Sequence, residues 1–277
     1  MCLDEIHKVP DWSSILKSVH ETLGESVVVA SGSSLLRLRS GSEDLSRRAL
    51  FHRMPGLSFR EYVELRWGVE LPVPAFSEII ERHEELVLPI LDTVSGKGLR
   101  IPGLFGDYLR HGYYPYFTEY PEVEMFRQAL EQDTHVTVEP DLLSVHPQLT
   151  AATARRLRFL LFAISVSVPF TPDLKKLRQA ADITDSRTPK SYLSYLEEGG
   201  LIRMLGSGGG TIGRLRKPEK IYLDNTNQQF ALTAGRQVNM GTLREAFFAS
   251  MAASSGVSVH APAQGDFGLD QIGRAHV

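Results

Sequence analysis

The chain has 277 residues, 42% of them hydrophobic and 23% charged, enough to bury sizeable cores in two or three domains. A formal net charge of −3 gives no global pull toward nucleic acid, and the one cysteine, Cys2, has no partner for an internal disulfide. No apolar run reaches the roughly 18–20 residues that cross a bilayer, and no basic-then-apolar signal opens the chain, so a cytoplasmic protein without membrane contact is expected.

Met1-Cys2-Leu3 is a short hydrophobic run that ends in the adjacent carboxylates Asp4 and Glu5. Trp12 to Leu23 reads as a helix, with Ile15, Leu16, Val19 and Leu23 on one face and Gly24 just past its end. Val27 to Ala30 is β-branched and bounded by turn residues, which predicts a buried strand running into Ser31-Gly32-Ser33-Ser34. Leu50 to Met54 is a candidate strand. Ser58 followed by Glu61 is a capping box opening a helix to about Trp67. Strand, helix, strand, polar turn and helix is the rhythm of an α/β sheet.

From Phe76 to about Val168 the pattern is almost wholly helical: Phe76 to Val94, Leu104 to Arg110, Pro121 to Gln132 and Thr150 to Val168. Gly112 sits where a left-handed helix end is expected, and the aromatic cluster Tyr113 to Phe117 reads as core rather than as a ligand box. After Pro169-Phe170-Thr171-Pro172, short helices over Asp173 to Ala181 and Ser186 to Glu198 lead to strands at Leu201 to Leu205 and Lys220 to Leu223. A glycine-rich tip, Ser207 to Gly213, lies between those strands. Helix, turn, helix and β-hairpin is the plan of a winged helix. Asn225 and Asn227 are placed to cap a following helix. A helix over Thr242 to Met251 and strands at Val257 to His260 and Phe267 to Leu269 complete the pattern.

Several motifs fall in a fixed order: Asp4-Glu5-Ile6-His7-Lys8, Pro10-Asp11-Trp12, Ser31-Gly32-Ser33-Ser34, Asp44 to Ala49, Gly56 to Tyr62, Gly112-Tyr113-Tyr114-Pro115, Val168 to Pro172 and Lys217 to Asn227. Each is weak alone. As a series they strongly resemble the prokaryotic AAA-type P-loop ATPases that carry a C-terminal winged helix and a PD-(D/E)xK nuclease-like domain. The resemblance implies an α/β plus mainly α protein with a partial P-loop sheet lacking the phosphate-loop strand. It divides the chain into a partial ATPase domain (1–72), a helical lid or linker (73–168), a winged helix (169–225), a truncated nuclease-like domain (226–270) and a non-native tail (271–277). The tail reads as a translated sequencing adapter, and the chain is expected to be cut at both ends.

The resemblance assigns Asp4 to magnesium, directly or through water, and Glu5 to polarising the water that attacks ATP. Ser31 or Ser33 becomes the polar sensor of the γ-phosphate or the water, and Arg47 or Arg48 an arginine finger acting in trans, which would require a homo-oligomer. The phosphate loop G-x-x-x-x-G-K-[ST] does not occur. ATP and Mg2+ are therefore cofactors expected of an intact parent, and this chain is expected to bind nucleotide poorly. His7 is expected at the surface or in support of the acidic pair rather than on the nucleotide.

Residues 171–220 carry ten Lys plus Arg against six Asp plus Glu, a net +4 against −7 for the remainder. A basic patch on an acidic body suits phosphate contact, so Arg187, Lys190, Arg214, Arg216 and Lys217 are candidate nucleic-acid contacts. Winged helices also bind proteins. The rival reading is thus a DNA- or protein-binding module in which the acidic pair is idle. Asp266 matches the first metal-binding aspartate of the nuclease-like fold, while Glu245 reads equally as a helix-surface charge.

Overall fold

A computed structural model describes residues 1–24, 27–40, 45, 48–167, 189–207, 218–233, 238–262 and 264–269. In chain order the elements are β1 (Cys2–Leu3), α1 (Trp12–Leu23), β2 (Val29–Ala30), α2 (Leu35–Ser40), α3 (Phe59–Trp67), α4 (Phe76–Gly96), α5 (Ile101–His111) and α6 (Val123–Val136). A π-helical turn over Thr137–Asp141 leads into α7 (Leu142–Val145), followed by α8 (Ala151–Val166), α9 (Pro189–Glu198), β3 (Ile202–Leu205) and β4 (Lys220–Leu223). The chain then forms α10 (Thr226–Leu232), α11 (Met240–Ser254), β5 (Val259–His260) and β6 (Gly268–Leu269). It is mostly helical with small sheets, as an α/β plus α protein would be. Among the described residues no helix is long and apolar enough to cross a membrane.

The chain divides into two compact units that interleave in sequence. One comprises Met1–Met54, Gln132–Asp224 and Val259–Asp270, and the other includes Pro55–Glu131 and Asn225–Ser258.

In the first unit β1 and β2 pair in parallel, Cys2 opposite Val29 and Leu3 opposite Ala30. Beneath them Ile6, Trp12 and Leu45 form a small core, with Leu3, Leu16 and Leu38 against it. The expectation of a buried second strand needs correcting, because Val27 is 76% and Val29 56% exposed. A strand with one partner, and with no element covering its faces among the described residues, cannot bury its side chains. Leu50 to Met54 is likewise no strand; Leu50 and Met54 stand almost fully exposed with no ladder to join. Further along, α8 packs on β4 and α9, and β3–β4 is an antiparallel hairpin with Arg203 opposite Tyr222. Tyr192, Leu193 and Leu196 of α9 are buried and serve a core. Arg203 closes the hairpin with a 2.7 Å ion pair to the buried Asp224, which Arg53 also approaches at 3.4 Å.

The second unit is built on aromatic side chains. Ser58 caps α3 with the expected box: its hydroxyl accepts the Glu61 amide, and the Glu61 carboxylate takes the Ser58 amide at 2.8 Å. Those bonds from Ser58 hold the Glu61 carboxyl below its ordinary range. Tyr62 and Tyr108 meet edge-on at 5.6 Å, and Tyr62 meets Phe117 at 5.2 Å. Each such pair adds about 0.5–1.5 kcal/mol beyond its buried area. Burial pushes the Tyr62 hydroxyl up to about 12 and that of Tyr108 higher still. Tyr113 and Phe117 are buried, as expected of a packing cluster. Gly112 is not a left-handed helix end, since its φ is −94°. It is glycine because a Cβ there would lie 2.6 Å from the Tyr108 ring and 2.8 Å from the Tyr62 ring.

Asn225 caps α10 as expected, accepting the Gln228 amide at 3.1 Å. Asn227 does something else. Fully buried, it donates to the carbonyls of Tyr108 (3.0 Å) and Leu109 (2.9 Å) and accepts the Tyr113 amide (2.8 Å). It therefore satisfies the open end of α5 from another part of the chain. Asn227→Leu should cost about 2–4 kcal/mol, because the buried Leu109 carbonyl and Tyr113 amide lose their partner, while the Tyr108 carbonyl keeps the Gly112 amide. Asn225→Ala, a lost cap, should cost about 1 kcal/mol. Urea denaturation of the two variants measures the difference.

His111 is buried beside Tyr62, whose hydroxyl lies 3.4 Å from Nε2, and its Nδ1 has no partner among the described residues. Burial first, then the charge of Arg66, pushes its pKa below the ordinary histidine value. The folded state thus binds fewer protons than the unfolded one as pH falls through about 6.5. Its contribution is intact above that pH and is lost on acidification. Denaturation midpoints of His111→Gln should vary less between about pH 7 and pH 5 than those of the native chain.

Candidate functional site

The acidic pair sits where the two parallel strands finish. Directly after β1 the chain turns sharply: Glu5 takes φ 53°, a left-handed conformation that costs an L-residue roughly 1–2 kcal/mol. The turn holds because the next residue is anchored. Ile6 is buried and gives its amide to the Ser31 carbonyl at 2.9 Å, while Ser31 gives its own amide to the Leu3 carbonyl at 2.8 Å. The strand ends are thereby locked side by side, and the side chains that follow them meet.

The Ser31 hydroxyl donates to Asp4 Oδ1, which also takes the Glu5 amide at 3.0 Å. Ser33 holds Glu5 twice, amide to Oε1 at 3.0 Å and hydroxyl to Oε2 at 3.2 Å. Lys8, three residues on, places its ammonium 2.8 Å from Glu5 Oε2. Lys8 first, and then the Ser33 hydroxyl and amide, hold the Glu5 carboxyl below its ordinary range against the opposing effect of burial. Glu5 is ionised at neutral pH. Asp4 is exposed, and its Oδ2 has no partner among the described residues.

Gly32 lies between the two serines because nothing larger fits. A Cβ there would fall 2.7 Å from His7 Nδ1 and 3.1 Å from a Leu38 methyl. His7 therefore props the loop from below, and its Nδ1 is buried with no partner among the described residues. Behind the loop, the buried Ser34 donates to Asp141 Oδ2 at 2.8 Å, and Arg37 Nε stands 3.1 Å from Asp141 Oδ1.

The structure brings together four of the residues singled out from sequence: Asp4, Glu5, Ser31 and Ser33. Arg48 lies elsewhere in the same unit, 3.6 Å from Glu21 of α1. Lys190 is exposed in the first turn of α9. Arg47, Arg187, Arg214, Arg216 and Lys217 lie outside the described residues, as do the expected helix at 173–181 and the hairpin tip beyond Ser207. Asp266 is exposed and meets Lys220 at 3.4 Å; Glu245 is half-buried on α11. Sequence reasoning missed Lys8, whose three-residue spacing from Glu5 was the available signal. It also missed Asp141, which no local pattern ties to Ser34 across 107 positions.

Asp4 presents one open carboxylate oxygen to which a divalent cation could bind. Among the described residues no three His, Cys, Asp or Glu side chains cluster to enclose a metal. Magnesium commonly uses one or two carboxylates, with phosphate oxygens and water completing its shell, and the open Oδ2 of Asp4 suits that arrangement.

Residues 1–63 match the family model described as an AAA domain, which supports an AAA-type, P-loop ATPase-like domain at the start of the chain. The chain is also similar to an uncharacterized protein of Methanocaldococcus jannaschii, 29% identical over 133 residues, a stretch covering 46% of this chain and 26% of that protein. The matched stretch thus spans about a quarter of the relative's length. No solved structure matches the chain.

Gly32→Ala should destabilise the first unit by about 1–3 kcal/mol through overpacking against His7 and Leu38. Adding His7→Ala should recover part of that loss. Thermal denaturation of the single and double variants gives the comparison.

Proposed function

We propose that the corner formed by Asp4, Glu5, Ser31 and Ser33 is the magnesium and water side of an ATP-hydrolysing site. The observation that carries this reading is the direct bonding of both carboxylates to the serines that follow the neighbouring parallel strand. Asp4 would hold magnesium through its open oxygen, directly or through water; the ion supplies neutralising charge for phosphate oxygens. Glu5, ionised and held by Ser33 and Lys8, orients and polarises the attacking water. Ser31 and Ser33 fix both acids and stand ready to sense the γ-phosphate. Either Arg47 or Arg48 is proposed to act in trans on a second copy. Hydrolysis is proposed to drive the C-terminal parts of the chain, including a winged helix over 169–225 and a nuclease-like segment over 226–270.

A second reading has one specific observation in its favour. α9 leads directly into the β3–β4 hairpin, its apolar residues turned to the core and Lys190 left exposed. That arrangement suits a winged-helix module contacting DNA or a protein without ATP hydrolysis.

ATP turnover by the complete gene product distinguishes the two. Glu5→Gln should lower the rate by about 10²–10⁴ while leaving nucleotide binding in place, as expected for loss of the group that polarises the attacking water. Asp4→Ala should instead remove the magnesium dependence of binding. Turnover indifferent to Glu5 would exclude the hydrolytic reading and leave the binding module.

A further inference from the structure

We infer that Asp141 is a positioning residue for the acidic corner, acting through Ser34 on the loop that carries Ser31 and Ser33. This rests on the reading of that corner as the hydrolytic site, and it extends the site to a part of the chain more than a hundred residues away.

The loop is held on two sides. In front, Ser31 and Ser33 bond to Asp4 and Glu5. Behind, Ser34 is 6% exposed and ends the loop by starting α2: its hydroxyl lies 3.4 Å from the Arg37 amide, and its carbonyl accepts the Leu38 amide at 3.0 Å. A serine hydroxyl in that role has a proton to give. Its acceptor is Asp141 Oδ2 at 2.8 Å. The other oxygen, Oδ1, lies 3.1 Å from Arg37 Nε, an ion pair out of line for a hydrogen bond, so the same carboxylate also draws on the first turn of α2 by charge. The Asp141 side chain is only 15% exposed, which leaves few other partners for its charge.

Asp141 reaches that position because the helix bearing it is widened. Pro140 has no amide to give, and the turn over Thr137–Asp141 is π-helical. The chain then re-enters α7, whose Leu142 is buried, and α7 packs against α2 with its buried Leu36. The apolar contact sets the distance between the two helices, and the carboxylate sets their register. A shift of the π-helical turn would therefore move Ser34, and with it Ser31 and Ser33.

The Ile6 and Ser31 amides report on this arrangement, since both cross between the acid-bearing strand and the serine loop. Amide hydrogen exchange on the present chain, followed by NMR without nucleotide, provides the test. Asp141→Ala should speed exchange at Ile6, Ser31 and Leu38 by about tenfold or more, with hairpin amides such as Glu219 and Asp224 unchanged. Asp141→Asn keeps an oxygen acceptor for Ser34 and should restore most of the protection. Ser34→Ala should reproduce the Asp141→Ala effect, and the double variant should add nothing to it. Uniform acceleration across the unit, or no change at Ile6 and Ser31, would overturn the assignment. Because no nucleotide enters the measurement, that failure is separate from a failure of Glu5-dependent turnover. In the complete gene product, the assignment and the hydrolytic reading together require Asp141→Ala to lower kcat more than it raises KM. An intact exchange result with unchanged kcat would overturn the site's hydrolytic reading alone.

Discussion

Leu3 and Ile6 bracket the two acids, and both are bonded to Ser31: Leu3 receives its amide and Ile6 gives an amide to its carbonyl. That exchange allows a strand of only two residues to place two carboxylates at a defined point. Without it the left-handed turn at Glu5 would relax, since the conformation is unfavourable for a residue with a Cβ. The serine hydroxyls, the Lys8 ammonium and the close fit of Gly32 on His7 all depend on the same registration. The acidic corner is therefore a property of two segments whose bonded residues lie 27 and 28 positions apart rather than of the Asp-Glu dipeptide.

Geometry alone does not make the corner reactive. Glu5 receives the Ser33 amide and hydroxyl and the Lys8 ammonium, so its charge is well compensated. A carboxylate held this way orients water better than it removes a proton, because hydrogen bonding to the charged form lowers its basicity. Asp4 differs: one oxygen is engaged and the other open. Two adjacent acids thus have distinct environments, and the separate roles proposed for them follow from that difference.

The second unit solves another problem, how to close a helix end inside an aromatic core. Tyr62, Tyr108 and Phe117 fill the space with large flat surfaces, leaving little room for water at the end of α5. The Leu109 carbonyl has no helical amide to accept, and Asn227 meets it while also reaching the Tyr108 carbonyl and taking the Tyr113 amide. A carboxylate at that position would repel the carbonyls, and an alkyl group would leave that of Leu109 bare. The amide carries both a donor and an acceptor, which is what the site requires.

Much of this was legible in local sequence. The helix Trp12–Leu23, the Ser58–Glu61 capping box and the Ile202–Leu205 and Lys220–Leu223 strands follow from periodicity, cap chemistry and turn residues, which act over a few positions. The acids and serines that meet at the corner could also be picked out, because they follow short apolar runs. What only the tertiary structure decided is which groups those residues meet: Ser34 with Asp141, Asn227 with the end of α5, Gly112 against two tyrosine rings. Nor could the apolar run Val27 to Ala30 announce its own exposure, since burial depends on what covers a strand. Local pattern determines which conformation a segment prefers. The partner of a buried polar group is set by how distant segments pack, and no window of neighbouring residues contains that information.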